Sequence, residues 1–397
     1  MTQESQKRSF GAFTLLLVVA CTQTPAAVTP VETMEGDACQ TEAFKVDADF
    51  AAANMAACEV LDSSAIEILL QPENTPINAS PWYAVRLTPL KAGNVRLVLQ
   101  YEEHAHRYKP KVSYDGVTWA VLPDDRVDVK AAGYRVTLDL ELDERPLFVS
   151  AQELFTNEAH DTWARAHAEK PFVTMSEIGA SIEGRPINMI GTDAEIDAPR
   201  CVMLVGRQHP PEVTGALAMV SFPDEVLGNS DLAQNFRKKY DLVIIPNLNP
   251  DGVEHGHWRH NMSGLDLNRD WGPFTQPETQ AAKKVIDQIE APGLAVFLDF
   301  HSTRKNVFYT QPVGNDGTEY GFTAEWLKRA RNKLPSYVFD RQGAHNVDLP
   351  TSKTYIFETF GVPAITYELG DETDRTEIAE TARIFAQEMM TLLLEQS

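Results

Sequence analysis

His209 and Glu212 stand three residues apart in Gly206-Arg207-Gln208-His209-Pro210-Pro211-Glu212, a segment that leads from an apolar stretch into a helical pattern. A loop-to-helix junction of that kind can aim an imidazole and a carboxylate at one point. A third donor, His301, lies much further along the chain. Two histidines and one glutamate leave a fourth position of tetrahedral zinc open for water. That is a catalytic arrangement, whereas structural zinc sites are closed by four protein ligands, often cysteine. A His-x-x-Glu on its own is common by chance. Its placement is what gives it weight.

The surrounding residues alternate between strand and helix. Apolar strand candidates are Val202–Val205, Leu242–Pro246, Ala295–Phe300 and Pro363–Tyr367, and helical patterns cover Glu212–Leu227, Glu278–Glu290, Thr323–Leu334 and Glu377–Leu394. The alternation predicts an α/β domain whose helices cover a mixed or largely parallel sheet. Ligands of such sheets bind beyond the carboxyl ends of the strands. The polar residues gather there: Gly206–Glu212 after the first strand, Asn247–Gly252 after the second, His301-Ser302 after the third and Glu368 after the fourth.

Residues 59–149 have a different texture. Ile66–Leu70, Trp82–Leu87, Val95–Tyr101, Lys111–Tyr114, Thr118–Leu122 and Tyr134–Leu142 are short β-prone runs, and Asp115-Gly116 is a hairpin turn signal. They predict a small all-β sandwich. His104, His106, Arg107 and Tyr108 cluster there and read as a solvated strand end, because no third metal ligand accompanies them.

From about residue 155 onward the chain resembles the zinc carboxypeptidases of the M14 (carboxypeptidase A-like) family. The landmarks follow in family order: His209-Pro-Pro-Glu212, Asn249-Pro-Asp-Gly252, Trp258-Arg259, Gly264-Leu-Asp-Leu-Asn-Arg-Asp270, Asp299-Phe-His301-Ser302 and Thr366-Tyr-Glu368. The leading β-sandwich and the proline after the first zinc histidine resemble the cytosolic-carboxypeptidase (deglutamylase-like) branch and its bacterial relatives. The resemblance implies a mixed sheet flanked by helices, one zinc per chain, and peptide or protein C-termini as partners. It assigns His209, Glu212 and His301 as zinc ligands, Asp266 as the carboxylate orienting the first histidine, and Glu368 as the general base. Arg259 matches the oxyanion-stabilising arginine, and Asn268 with Arg269 the pair that grips the terminal carboxylate.

The family residue about fifteen before the catalytic glutamate lines the pocket for the departing side chain; here that offset falls on Lys353. The implied preference is for C-terminal Glu or Asp. Two departures stand out. Pro211 occupies the place of a substrate-contacting arginine in the digestive enzymes, and their mobile tyrosine has no counterpart, Tyr355 being left unassigned. His255, His257 and His260 match no ligand position and read as loop residues beside the cleft.

The chain has 397 residues and a formal charge of −22, a surface that disfavours nucleic acid. At 43% hydrophobic and 23% charged it has globular proportions, and no apolar run is long enough to span a bilayer. Residues 1–20 read as a lipoprotein-type signal peptide: Lys7 and Arg8 precede an apolar run ending Val18-Val19-Ala20-Cys21, similar to the lipobox of bacterial lipoproteins. Residues 21–38 read as a flexible tether, 39–150 as the β domain and 151–397 as the carboxypeptidase domain. Lipidation of Cys21 predicts an exported protein of the cell envelope, facing the periplasm from the outer membrane in a Gram-negative host, with membrane contact only through the anchor. A Cys21→Ala protein should then leave the membrane fraction on cell fractionation; if it stays there, the anchor lies elsewhere.

Cys39 and Cys58 suit a disulfide in an exported protein, and Cys201, inside an apolar run, reads as a buried core thiol. Two other functions are compatible with this sequence. One is an M14-type amidase cutting murein peptides. The other is a non-catalytic peptide-binding lipoprotein, against which the retention of Glu368 and His301 argues.

Overall fold

The structure is a computed structural model and describes residues 39–193, 200–289, 293–312 and 320–397. Cys21, the leader and the tether lie outside the described residues. The first ten strands are β1 (Phe44–Asp47), β2 (Ala57–Asp62), β3 (Ala65–Leu70), β4 (Ala84–Pro89), β5 (Gly93–Tyr101), β6 (Lys111–Ser113), β7 (Ala120–Val121), β8 (Val127–Lys130), β9 (Arg135–Leu142) and β10 (Leu147–Ser150). They form two five-stranded sheets, ordered β1-β4-β10-β6-β7 and β2-β3-β5-β9-β8. All six expected β runs are strands, and four more join them. β9 shows why: its Val136, Leu138, Leu140 and Leu142 are buried at a spacing of two, the period at which strand side chains share a face. These residues share one core with Phe44, Val46, Val85, Leu87 and Val149 of the other sheet, so the two sheets pack as a sandwich. Asp115-Gly116 turns the chain between β6 and β7, Gly116 with φ of 72°.

The rest of the chain contains α1 (Asn157–Ala168), β11 (Val173–Ala180), β12 (Pro186–Thr192), β13 (Arg200–Gly206), α2 (Val213–Val226), α3 (Asp231–Arg237), β14 (Tyr240–Ile245), α4 (Pro250–Glu254) and α5 (Pro277–Ile286). It continues with β15 (Leu294–Thr303), β16 (Val307–Thr310), α6 (Tyr320–Lys333), β17 (Asp340–Gly343), α7 (Ser352–Phe360), β18 (Ala364–Gly370) and α8 (Arg375–Gln396). One eight-stranded mixed sheet runs β11-β12-β14-β13-β15-β18-β16-β17. Its four central strands, β14, β13, β15 and β18, are parallel neighbours. β13 and β15 read as near-continuous apolar runs because the sheet has a core on each face. One core contains residues of α2, α3, α6 and α8, the other residues of α5 and α7.

Register places chemistry. β15 and β18 pair in parallel with His301 opposite Glu368, so the two side chains leave the sheet next to each other. The start of α2 lies against the end of β15, where a Cβ on Gly215 would come within 2.6 Å of the His301 carbonyl oxygen. Only glycine allows that approach.

The sandwich and the larger sheet share contacts rather than a bare linker. Trp258 and Val213, the neighbours of Arg259 and Glu212, are buried in the sandwich core. Arg107 forms a two-point ion pair with Asp371 (2.8 and 3.0 Å), just past β18, and Arg375 holds Glu153 at 2.5 and 2.7 Å. Cys39 and Cys58 form a disulfide that ties the lead-in of β1 to β2. Cys201 is buried, and desolvation pushes its thiol up to about 12, in keeping with a core residue.

Candidate active site

The loop after β13 carries two of the three expected metal ligands, and β15 carries the third. Arg207 opens that loop with a φ of 53°, a strained conformation for a non-glycine residue. Its buried guanidinium donates to the Pro210 carbonyl (3.0 Å), which folds the loop back on itself.

The resulting cluster is tight. His209 Nδ1 faces Glu212 Oε1 at 2.9 Å, His301 Nδ1 faces Glu212 Oε2 at 2.7 Å, and the two Nδ1 atoms are 3.2 Å apart. One donor atom from each residue lies within 4.8 Å of the others, and all three residues are buried. The outer nitrogens are held by carboxylates: His209 Nε2 by Asp266 (2.9 Å) and His301 Nε2 by Asp299 (2.8 Å). Each Nε2 is turned to an aspartate and each Nδ1 to the Glu212 carboxylate, so both nitrogens of each ring face an acceptor. A cation among the three would take the place of a proton at Nδ1 and leave the ring proton on Nε2. Two imidazoles and a carboxylate are a donor set that suits zinc, and the carboxylates behind them fix tautomer and ring direction.

Asp266 lies behind His209 and holds a second group as well. Its second oxygen accepts from Arg259 Nε at 2.8 Å, so one carboxylate aims a ligand and an arginine together. Asp299 has the equivalent place behind His301, a role not read from the sequence. It is fully buried within β15, and its Oδ2 accepts from Gln208 Nε2 (2.7 Å) and from the Ser352 hydroxyl. Its sequence signals were its place in the Asp299-Phe-His301-Ser302 landmark and its spacing of two from His301, which puts both side chains on one face of a strand.

Glu368 shares this cavity. It opens on the cleft but is otherwise enclosed, and its Oε2 is buried with no hydrogen-bond partner. Burial, followed by the like charge of Glu212, pushes its carboxyl up to about 8. A dication held by the three ligands would act in the opposite sense.

A cleft of about 460 Å³ is lined by His209, Glu212, His301 and Glu368, and by Arg259, Asn268, Arg269 and Lys353 as well. Asn268 is oriented by the Ser352 amide, which donates to its Oδ1 at 2.9 Å, and Arg269 Nη1 donates to the Asn268 carbonyl at 2.8 Å. Lys353 opens α7. It is 3% exposed and has no ion-pair partner among the described residues, and burial brings its ammonium down to about 8.

One reading changes with the structure. His104 and Arg107 are no solvated strand end. Both line the cleft, and packing of the sandwich against the larger sheet buries the Arg107 side chain beside Asp371. His106 is also enclosed, its Nδ1 at 2.8 Å from the Tyr101 hydroxyl. Tyr355 packs on Trp271 and Phe274 and does not line the cleft. The tyrosine in the wall is Tyr309, stacked on His345 with ring centres 3.9 Å apart. No sequence signal marked it. The histidines near residue 257 are loop residues as expected, His255 on Glu183 (2.7 Å) and His257 on the His260 carbonyl (2.9 Å).

The zinc carboxypeptidase (Peptidase_M14) family model matches residues 159–389. The chain belongs to the zinc carboxypeptidase family. Cytosolic carboxypeptidase 1 of Mus musculus is 37% identical to it over 114 residues, which are 27% of this chain and 9% of that protein. An uncharacterised protein of Zymomonas mobilis is 29% identical over 186 residues, 46% of this chain and 48% of its own length. The chain thus spans about half or less of the length of these curated relatives. Among solved structures, a metallo-carboxypeptidase from Burkholderia cenocepacia superposes with a TM-score of 0.74 at 21% identity, covering 90% of this chain and 98% of that one. That likeness extends the shared fold through the strand-rich N-terminal region.

Proposed function

We propose that this zinc carboxypeptidase family member hydrolyses the C-terminal peptide bond of peptides or proteins, with a preference for an acidic last residue. The observation that carries the reaction is the meeting of the His209–Glu212–His301 donors, the unpartnered Glu368 oxygen and the Arg259 guanidinium around one cleft. Zinc held by the three donors would polarise the scissile carbonyl and make a water easier to deprotonate. Glu368 accepts that water's proton on its free oxygen and returns it to the leaving amine nitrogen. Arg259, steadied by Asp266, lies where it can donate to the carbonyl oxygen as negative charge develops. Arg269 and Asn268 line the same cleft and suit a terminal carboxylate, the guanidinium by its paired donors. A clamp for a free carboxylate makes the cut terminal rather than internal.

The acidic preference rests on Lys353. A buried ammonium without a counter-ion pays a desolvation cost that a substrate carboxylate would offset. The experiment is hydrolysis of matched peptides ending in Glu, Leu and Lys, with murein tripeptide as a further substrate. Wild type should favour Glu, and Lys353→Glu should shift the ranking towards Lys. A wild-type preference for Lys, or a ranking unmoved by the substitution, would remove Lys353 from specificity. Cleavage of the murein tripeptide ahead of all three peptides would move the assignment to an amidase.

A further inference from the structure

We propose that Glu73, in the strand-rich N-terminal region, is a positioning residue for Arg259. The inference rests on the role given to Arg259 above. Arg259 belongs to a loop between α4 and the short 3-10 turn Leu267–Arg269, so no strand or long helix sets its backbone. Asp266 orients the guanidinium, but the main chain beneath it needs its own support. Three consecutive amides of this loop point the same way, and all three donate to one carboxylate. Trp258 N reaches Glu73 Oε2 at 2.7 Å, while Arg259 N and His260 N reach Glu73 Oε1 at 2.9 and 2.5 Å. Successive amides converging on an anion form a nest, and here the anion is supplied by the other half of the molecule.

The contacts around Glu73 reinforce this hold. Trp258 is fully buried in the sandwich core. The next residue along from Glu73, Asn74, donates from Nδ2 to the Gly264 carbonyl (2.9 Å) and faces His260 Nδ1 with its Oδ1 (2.6 Å). Asn54 Nδ2 donates to the Gly256 carbonyl at 2.6 Å, and a Cβ on Gly256 would lie 2.7 Å from the Ala52 oxygen. The loop is therefore shaped from outside, and Glu73 acts at the three residues centred on Arg259.

Glu73→Gln tests the idea with little change in size. The amide keeps one acceptor oxygen but turns an NH2 group towards a backbone N–H, so two donors face each other. A displaced Arg259 weakens an interaction made with charge that grows in the transition state, so the loss falls on kcat. We expect unchanged zinc content, a slightly lowered melting temperature from the lost hydrogen bonds, a drop in kcat on the order of 10-fold, and a KM within about twofold, since misplacement by about 1 Å costs up to about 100-fold. In an Arg259→Ala background the same Glu73→Gln change should cost less than about twofold, because residues acting as one unit are not additive.

Losses that multiply in the double variant, or a change confined to KM, would overturn the role of Glu73 while leaving that of Arg259 intact. If Arg259→Ala by itself leaves kcat unchanged, the catalytic reading of Arg259 fails and this inference falls with it. Should Glu73→Gln not fold, Glu73→Asp keeps both oxygens on a stem one methylene shorter. The same cycle is then run with that variant and judged by the same two outcomes.

Discussion

Glu368→Gln should bind zinc at full stoichiometry, melt at the wild-type temperature and lose nearly all hydrolysis. Glutamine is almost isosteric, and the position opens on the cleft rather than the core, so packing changes little. What changes is the free oxygen: an uncharged amide cannot take a proton from water or hand it to an amine. General acid–base catalysis contributes about 10²–10⁴-fold, so kcat should fall by at least about 100-fold. The pH profile gives a second readout. Activity needs the ionised carboxylate and should fall as pH drops through the Glu368 pKa. That pKa is pushed up to about 8 by burial and by Glu212, and lies lower with the dication present. The residual activity of the variant should lack this acid limb. Near-normal turnover would remove Glu368 from the mechanism.

The paired substitution His209→Ala with His301→Ala should abolish zinc binding and, with it, hydrolysis. Each histidine presents an Nδ1 to the Glu212 carboxylate and anchors its other nitrogen on an aspartate. Removing both leaves one carboxylate, too few donors for tight zinc, whose catalytic sites use three protein ligands. The change also strands the half-buried Asp266 and the fully buried Asp299, two acids that lose a partner. Asp266 keeps Arg259, whereas Asp299 keeps only neutral donors, Gln208 and Ser352. Uncompensated buried charge is destabilising, so the variant should also melt below wild type. Metal analysis after dialysis reads the first effect and calorimetry the second. Full zinc stoichiometry in the double variant would place the metal elsewhere.

The strand-rich region enters both results, because it packs against the residues next to the ligands. Val213 follows Glu212 and Trp258 precedes Arg259, and both are buried in the sandwich core. The cleft wall also includes Ile77 to Ser80, His104 and Arg107 from that region. The sandwich is part of the site's structure.

Much of this was written locally in the chain. The His209–Glu212 spacing, the polar residues following four apolar strands and the order of the landmarks pointed to the His-Glu-His donor set, to Glu368 beside it and to the α/β class. Such features survive in sequence because each depends on a few neighbouring residues: a strand buried on both faces must be apolar throughout, and a junction must carry its ligands within one turn.

Other elements left weak marks. Of the four unexpected sandwich strands, β1, β2 and β8 are sheet edges, and β2 and β8 bury almost nothing, so they carry little hydrophobic alternation. β10 is only four residues long. What only the tertiary structure decided are contacts made between distant segments. Asp299 becomes a histidine's partner through the pleat of β15 and the approach of Gln208 and Ser352. Tyr309 reaches the cleft because β16 pairs with β18. Arg107 is buried because its partner, Asp371, lies 264 residues away. Glu73 meets three amides 185 to 187 residues distant. A local pattern specifies which groups a segment can offer, but the partner of a buried charge is chosen by packing, and no spacing rule in one chain encodes that.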